Sequence, residues 1–291
     1  MTLSVFSQLF LNGVLFGTMY GLAALGLSLI FGTMQIIFIA QGAMIILAAY
    51  GCFWLYQLFS VDPYFSVLLI VPVSLTVGLG IYQLVFRKVA RAGKFPSLLI
   101  AFGLMALLEN LMSVLFTPNP RAIRTGYTAY GFTAIGIKIS FTRLMAFVMA
   151  VLATIGVTLF LKKTLTGKAV RAASENLESA TLVGIKPHWV NSVTFAIGIG
   201  LAGLAGVAMG TTYPFDPYFG FNFSLKAMIA LALGGMGSVI GAVFGGIILG
   251  VIESYGAFLL TGVWADAIAY GVFLVVLMFK PEGLFVQTEN K

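Results

Sequence analysis

The chain has 291 residues, of which 60% are hydrophobic and only 9% charged, with a formal net charge of +7. A soluble domain averages roughly 25% charged residues. Composition therefore excludes a soluble globular domain and sets the class as all-α, a polytopic transmembrane helical bundle. The positive charge does not point to nucleic acid: eleven of the sixteen Lys and Arg residues fall in the segments 87–94, 162–186 and 280–291, which the positive-inside rule places in the cytoplasm.

In chain order, the first apolar segment runs from Leu9 to Phe31, long enough to cross a hydrocarbon core of roughly 30 Å. The residues before it carry no cationic start or small-residue cleavage pattern, so it is expected to be a retained anchor. Gly13, Gly17 and Gly21 recur at four-residue spacing, which suits close helix packing. Asn12, Thr18 and Tyr20 keep one face away from lipid. The second segment, Thr33 to Phe59, is interrupted early by Gln35, Gln41 and Gly42, amides that need a partner helix or a watery cavity at membrane depth. Asp62-Pro63 is a turn, and Tyr64–Phe86 and Phe95–Phe116 are the third and fourth segments. The stretch 117–140 reads as an external loop with a small hairpin. Phe141–Leu161 is the fifth segment.

The longest polar stretch follows, a cytoplasmic loop at 162–187. On a 3.6-residue wheel over 168–184, Lys168, Arg171, Glu175 and Glu178 gather on one side, and Ala169, Ala173, Leu177, Ala180 and Gly184 on the other. The small-residue stripe suits close approach of a surface, either this protein's own or that of a soluble partner. His188 to Gly210 is the sixth segment, and 211–223 an external aromatic loop. The run 224–250 is broken by Gly234-Gly235 and Gly237-Ser238, and its first ten residues, Ser224 to Leu233, are too few to span. A half-helix, a glycine turn and a returning helix are expected there. Trp264–Phe279 is the eighth segment; the count makes one transmembrane domain over 1–291, with the N-terminus outside and the C-terminus inside. Two glycine-interrupted segments, near 32–42 and 234–246, suggest internally repeated halves, although no self-similarity is evident.

Chemistry-bearing residues are sparse. One histidine (His188) and one cysteine (Cys52) give no metal site and no intramolecular disulfide, and no metal or cofactor is expected. No catalytic residues stand out, and the P-loop pattern G-x-x-x-x-G-K-[ST] is missing, so ATP-driven work would need a motor in another polypeptide. Glu109 lies deepest in an apolar segment, beside Asn110, and is equally a pathway carboxylate or a helix-packing one. As a pathway residue it would allow a second reading, a stand-alone ion-coupled carrier. Lys226 and Glu253 are expected to pair across the broken segment, with Asp266 at the outer interface. Thr18, Tyr20, Gln35, Gln41, Glu109 and Asn110 are the candidate pathway groups, suited to an uncharged or zwitterionic solute.

Four stretches resemble the permeases of branched-chain amino acid ABC transporters: 12–34, 167–185, 232–253 and 280–285. In the second of these, the pattern lies at Gly167-Lys168, Arg171-Ala172, Ala180 and Gly184-Ile185. The resemblance implies an ATPase subunit docked on a coupling helix formed by Gly167, Lys168, Arg171, Ala172, Glu175, Leu177, Ala180 and Gly184. It also implies a second related permease subunit, a periplasmic substrate-binding protein and an inner-membrane location. One departure stands at Phe38, where the family usually carries Asn; if that position lines the pathway, the solute differs from leucine, isoleucine or valine.

Overall fold

Apolar runs separated by polar breaks become helices joined by short turns. The computed structural model describes residues 3–89, 93–128, 130–134, 137–259, 262–280 and 283–285. They form α1 (Leu3–Met34), α2 (Gln41–Phe59), α3 (Pro63–Ile81), a π-helical turn Tyr82–Phe86, the single turn α4 (Arg87–Val89) and α5 (Lys94–Phe116). The hairpin β1 (Gly131–Ala134) and β2 (Ile137–Ser140) follows, then α6 (Phe141–Lys163), α7 (Leu165–Glu175), α8 (Leu177–Leu182) and α9 (Pro187–Thr212). The chain closes with α10 (Phe219–Gly234), α11 (Val239–Leu259) and α12 (Gly262–Phe279). Seven of these helices are long and apolar enough to cross a membrane, and α10 and α12 are shorter apolar helices.

Local chemistry sets the boundaries. Asp62 caps α3 by accepting the Tyr64 N–H, with Pro63 in the first turn where its missing N–H costs nothing. Pro187 opens α9 in the same way. The expected hairpin is present, antiparallel, with Gly131 opposite Ser140. The Gln8 amide both donates to and accepts from the Lys138 backbone, which ties the start of α1 to β2. Arg121 and Phe215 exchange backbone hydrogen bonds at 2.8 Å, and the Tyr127 hydroxyl donates to Asp62. Burial, and then that donation, hold the Tyr127 phenol well above its ordinary range.

α1 and α9 are the buried centre, while α3, α5 and α6 expose most of their surface. The exposed side chains are apolar, among them Leu68, Leu84, Val114 and Leu152, as a lipid-facing rim requires. Gly13, Gly17 and Gly21 meet α11 backbone to backbone, as their spacing predicts; a Cβ on Gly17 would lie 2.4 Å from the Gly246 carbonyl oxygen.

Three boundaries differ from the sequence reading. Thr33 belongs to the end of α1, and the second segment begins only at Gln41, after six non-helical residues, Gln35–Ala40. The aromatic loop shrinks to Tyr213–Tyr218, because α9 continues through Thr212 and α10 starts at Phe219. The 168–184 helix is two helices, since Asn176 leaves helical geometry and caps α8 by accepting the Ser179 N–H.

Helix order and packing repeat in two halves, but only one of the two glycine-interrupted stretches marks a matching break. α1 and α9 cross at Gly26 and Gly198, each glycine facing the other's carbonyl oxygen. Each helix is followed by six non-helical residues, Gln35–Ala40 and Tyr213–Tyr218, and then by a helix that starts beside its counterpart, Gly42 against Gly220. α11 then packs along α1, and α3 along α9. The order α1-α2-α3-α5 is thus matched by α9-α10-α11-α12, running the opposite way. The matching breaks are 35–40, within the stretch 32–42 expected from sequence, and 213–218 rather than 234–246.

Candidate functional site

Two places carry polar chemistry. The first is the α7–α8 elbow at the end of the bundle opposite the hairpin. Thr164 caps α7 by accepting the Gly167 N–H, and Gly167 lies so close to the Phe160 carbonyl that no side chain fits. Gly167, Val170, Ala173 and Ala180 are buried against the chain's own helices, so two residues of the small-residue stripe, Ala173 and Ala180, are used internally, while Leu177 and Gly184 of that stripe are exposed. The outward face presents Lys168, Arg171, Glu175 and Leu177, with Ala172 at its edge and Gly184 in a left-handed turn. Leu182 and Val183 are exposed beside them. Arg171 and Glu175 form an exposed i,i+4 pair at 3.8 Å, worth a few tenths of a kcal/mol at most. Between α7 and the near ends of α1 and α11 lies a cavity of about 850 Å³ that opens onto the charged side of α7, bordered by Thr33, Gln35, Lys162, Arg171, Ser238 and Phe285.

The second place is a charged cluster inside the bundle. Lys226 of α10 donates to Glu253 of α11 at 2.6 Å and reaches Asp266 of α12 at 2.9 Å. Its ammonium also donates to the Tyr20 hydroxyl at 3.3 Å and lies 5.4 Å from the centroid of that ring. The Lys226–Glu253 pair expected from sequence is there; the recruitment of Asp266 and Tyr20 was not foreseen. The available signal for Glu253 was its place 27 residues after Lys226, across the glycine-broken run 224–250. No such spacing marks Asp266 or Tyr20, which tertiary packing alone brings in.

The remaining pathway candidates are dispersed. Thr18 is buried, with its hydroxyl returned to the Leu15 carbonyl. Gln35 opens the first break with a positive φ of 51° and borders the cavity beside α7. Gln41 is buried, and its amide donates to Gly198 at the α1–α9 crossing. Phe38 is wholly buried in edge-to-face contact with Phe86 and Phe195, so this side chain fills core and borders neither place. Glu109 and Asn110 stand on the peripheral α5; Glu109 is buried there, and exposed Asn110 donates back to the Ala106 carbonyl. Neither shares a hydrogen bond or ion pair with the charged cluster. Among the described residues, no group of three or more His, Cys, Asp or Glu side chains could hold a metal ion.

A lipid-rimmed bundle of inverted halves, with one polar elbow and one internal charge cluster, has the form of a membrane transport subunit. The chain belongs to the family described as the branched-chain amino acid transport system / permease component, whose model matches residues 9–277. It is 31% identical to the high-affinity branched-chain amino acid transport system permease protein BraD of Pseudomonas aeruginosa, over 97% of this chain and 96% of that one. It is 30% identical to the corresponding permease protein LivH of Salmonella typhimurium, over 98% of this chain and 96% of that one. A more distant likeness, 31% over 70% of this chain and 60% of the other, is to the autoinducer 2 import system permease protein LsrC of Salmonella paratyphi B. No solved structure matches.

Proposed function

We infer that the chain is a permease subunit of an ATP-binding cassette importer for branched-chain amino acids or a related small polar solute. It sits in the inner (plasma) membrane, with the α7–α8 elbow in the cytoplasm and the hairpin outside. A separate ATPase subunit grips the outward face of the elbow through Lys168, Arg171, Glu175, Leu177 and the exposed Leu182 and Val183. A second related permease completes the core, and a periplasmic binding protein delivers solute to the hairpin side.

The observation that carries this reading is the elbow itself. A polar, basic face with bare leucine and valine is held rigidly beneath an apolar bundle by two capped helices. Gly167, Val170 and Ala173 are already packed, so a force applied to the outer side passes directly to α1 and α9, which α7 touches. Arg171→Glu reverses a charge on the outer face and buries nothing. Membrane-inserted protein should stay at the wild-type level, while ATP-dependent uptake in the assembled importer falls at least about tenfold. Unchanged uptake, or loss of the inserted protein, would count against the elbow as the grip.

A further inference from the structure

Lys226 has more counter-charge than it needs. One ammonium faces two carboxylates, and the two differ in depth: the Glu253 side chain is 16% exposed and that of Asp266 is 52% exposed. The deep partner neutralises Lys226 where water cannot. Tyr20 holds the ammonium from below, through its hydroxyl and the face of its ring. The shallow partner is surplus and can be hydrated, so the Lys226–Asp266 contact opens far more cheaply than the Lys226–Glu253 contact. Asp266 stands in the first turns of α12, and α11, which carries Glu253, is tied through Tyr255 to the start of α1, to which the hairpin is also tied.

We propose that the Lys226–Asp266 pair is the acceptor for the charged backbone of a zwitterionic α-amino acid. The geometry is that of an exchange. The solute's carboxylate takes the place of Asp266 on Lys226, and its ammonium takes the released Asp266 carboxylate. Two ion pairs replace one, the net charge of the cluster does not change, and Glu253 stays in place as the fixed counter-ion. A neutral solute offers neither charge and cannot repay the opening of the pair. A monoanion that displaces Asp266 leaves that carboxylate uncovered, and a monocation that pairs with Asp266 forgoes the contact with Lys226. This rests on the importer reading above and narrows its substrate class to zwitterions rather than amides, sugars or urea-like solutes.

The test is equilibrium binding to the purified permease–ATPase complex in lipid nanodiscs, without the binding protein. The probes are L-leucine, leucinamide (no carboxylate) and 4-methylpentanoate (no ammonium). The wild-type complex should prefer leucine to each analogue by at least about tenfold. Asp266→Asn should bring leucine and 4-methylpentanoate to within about threefold of each other, while Asp266→Glu, which keeps the charge, should retain the preference. Equal binding of all three probes by the wild-type complex overturns the proposal, as does a preference for leucine over 4-methylpentanoate that survives in Asp266→Asn. ATP-dependent uptake accompanied by either result would leave the importer reading standing; an ATPase that never co-purifies would remove that reading instead.

Discussion

At the scale of single residues, Lys226 is the cation that two of the ion pairs among the described residues share. It is mostly buried and held by Glu253 at 2.6 Å. Lys226→Met leaves Glu253 in the bundle without its cation, a change that typically costs about 3–5 kcal/mol. The purified variant should therefore melt well below the wild type, and Lys226→Met/Glu253→Gln should recover most of the loss. A double variant no better than the single one would show that the lysine's packing matters more than its charge. Phe38 teaches the complementary lesson. Read from the sequence, it was a possible lining residue at a position that family members fill with Asn. The structure puts it in an aromatic cluster with Phe86 and Phe195, contributed by the π-helical turn and α9. No local pattern around residue 38 could have disclosed partners so far away in the chain. Glu253 was legible because both it and Lys226 break apolar runs, and an unpaired charge there would be costly.

At the scale of elements, apolar length located α5, α6, α9 and α12 to within a few residues, because lipid demands uninterrupted apolar length, but it missed the starts of α1 and α2. Sequence periodicity failed at the elbow. The wheel over 168–184 treated the stretch as one helix, yet Asn176 is a strong N-cap and divides it. The cap was visible as a residue; what the wheel could not weigh was capping against continued helix. Asn176→Ala removes the side-chain acceptor for the Ser179 N–H and should destabilise α8 by about 1 kcal/mol. Amide exchange over Leu177–Leu182 should then speed up roughly fivefold, with α7 unaffected, because its own cap is Thr164. Exchange that rises equally in both helices would mean that they open as one unit. The division also reassigns the stripe: Ala173 and Ala180 face inward, which leaves the charged side and the bare Leu182 and Val183 for a partner.

At the scale of the whole molecule, the repeat escaped the sequence because it is written in backbone contacts, not in side-chain similarity. Gly26 meets Gly198 and Gly42 meets Gly220, and glycines elsewhere in so glycine-rich a chain hide these four. A Cβ on Gly42 would lie 1.8 Å from the Gly220 carbonyl oxygen, whereas one on Gly51, in the same helix, meets nothing within 4 Å. Gly42→Ala should lose most of the monodisperse protein recovered after purification, and Gly51→Ala should lose none. Sidedness follows from the same arrangement and can be checked directly. Cys52 is the chain's single cysteine, so Cys52→Ser gives a background for new ones. A cysteine at Thr133, in the hairpin, should react with an impermeant maleimide added outside intact cells, and one at Ser174, in the elbow, only after the cells are opened. The reverse pattern would invert the orientation of every helix.

The place where α2 and α10 begin has an electrical consequence as well as a steric one. Each helix presents the positive end of its dipole there, about half an elementary charge, and the two ends abut at Gly42 and Gly220 in the middle of the bundle. Protons and metal cations threading the interior would meet a standing repulsion at that level, while a solute with balanced charges would feel little net force. The meeting of the two helix starts thus sets an electrostatic barrier to cations where the glycines already set a steric fit.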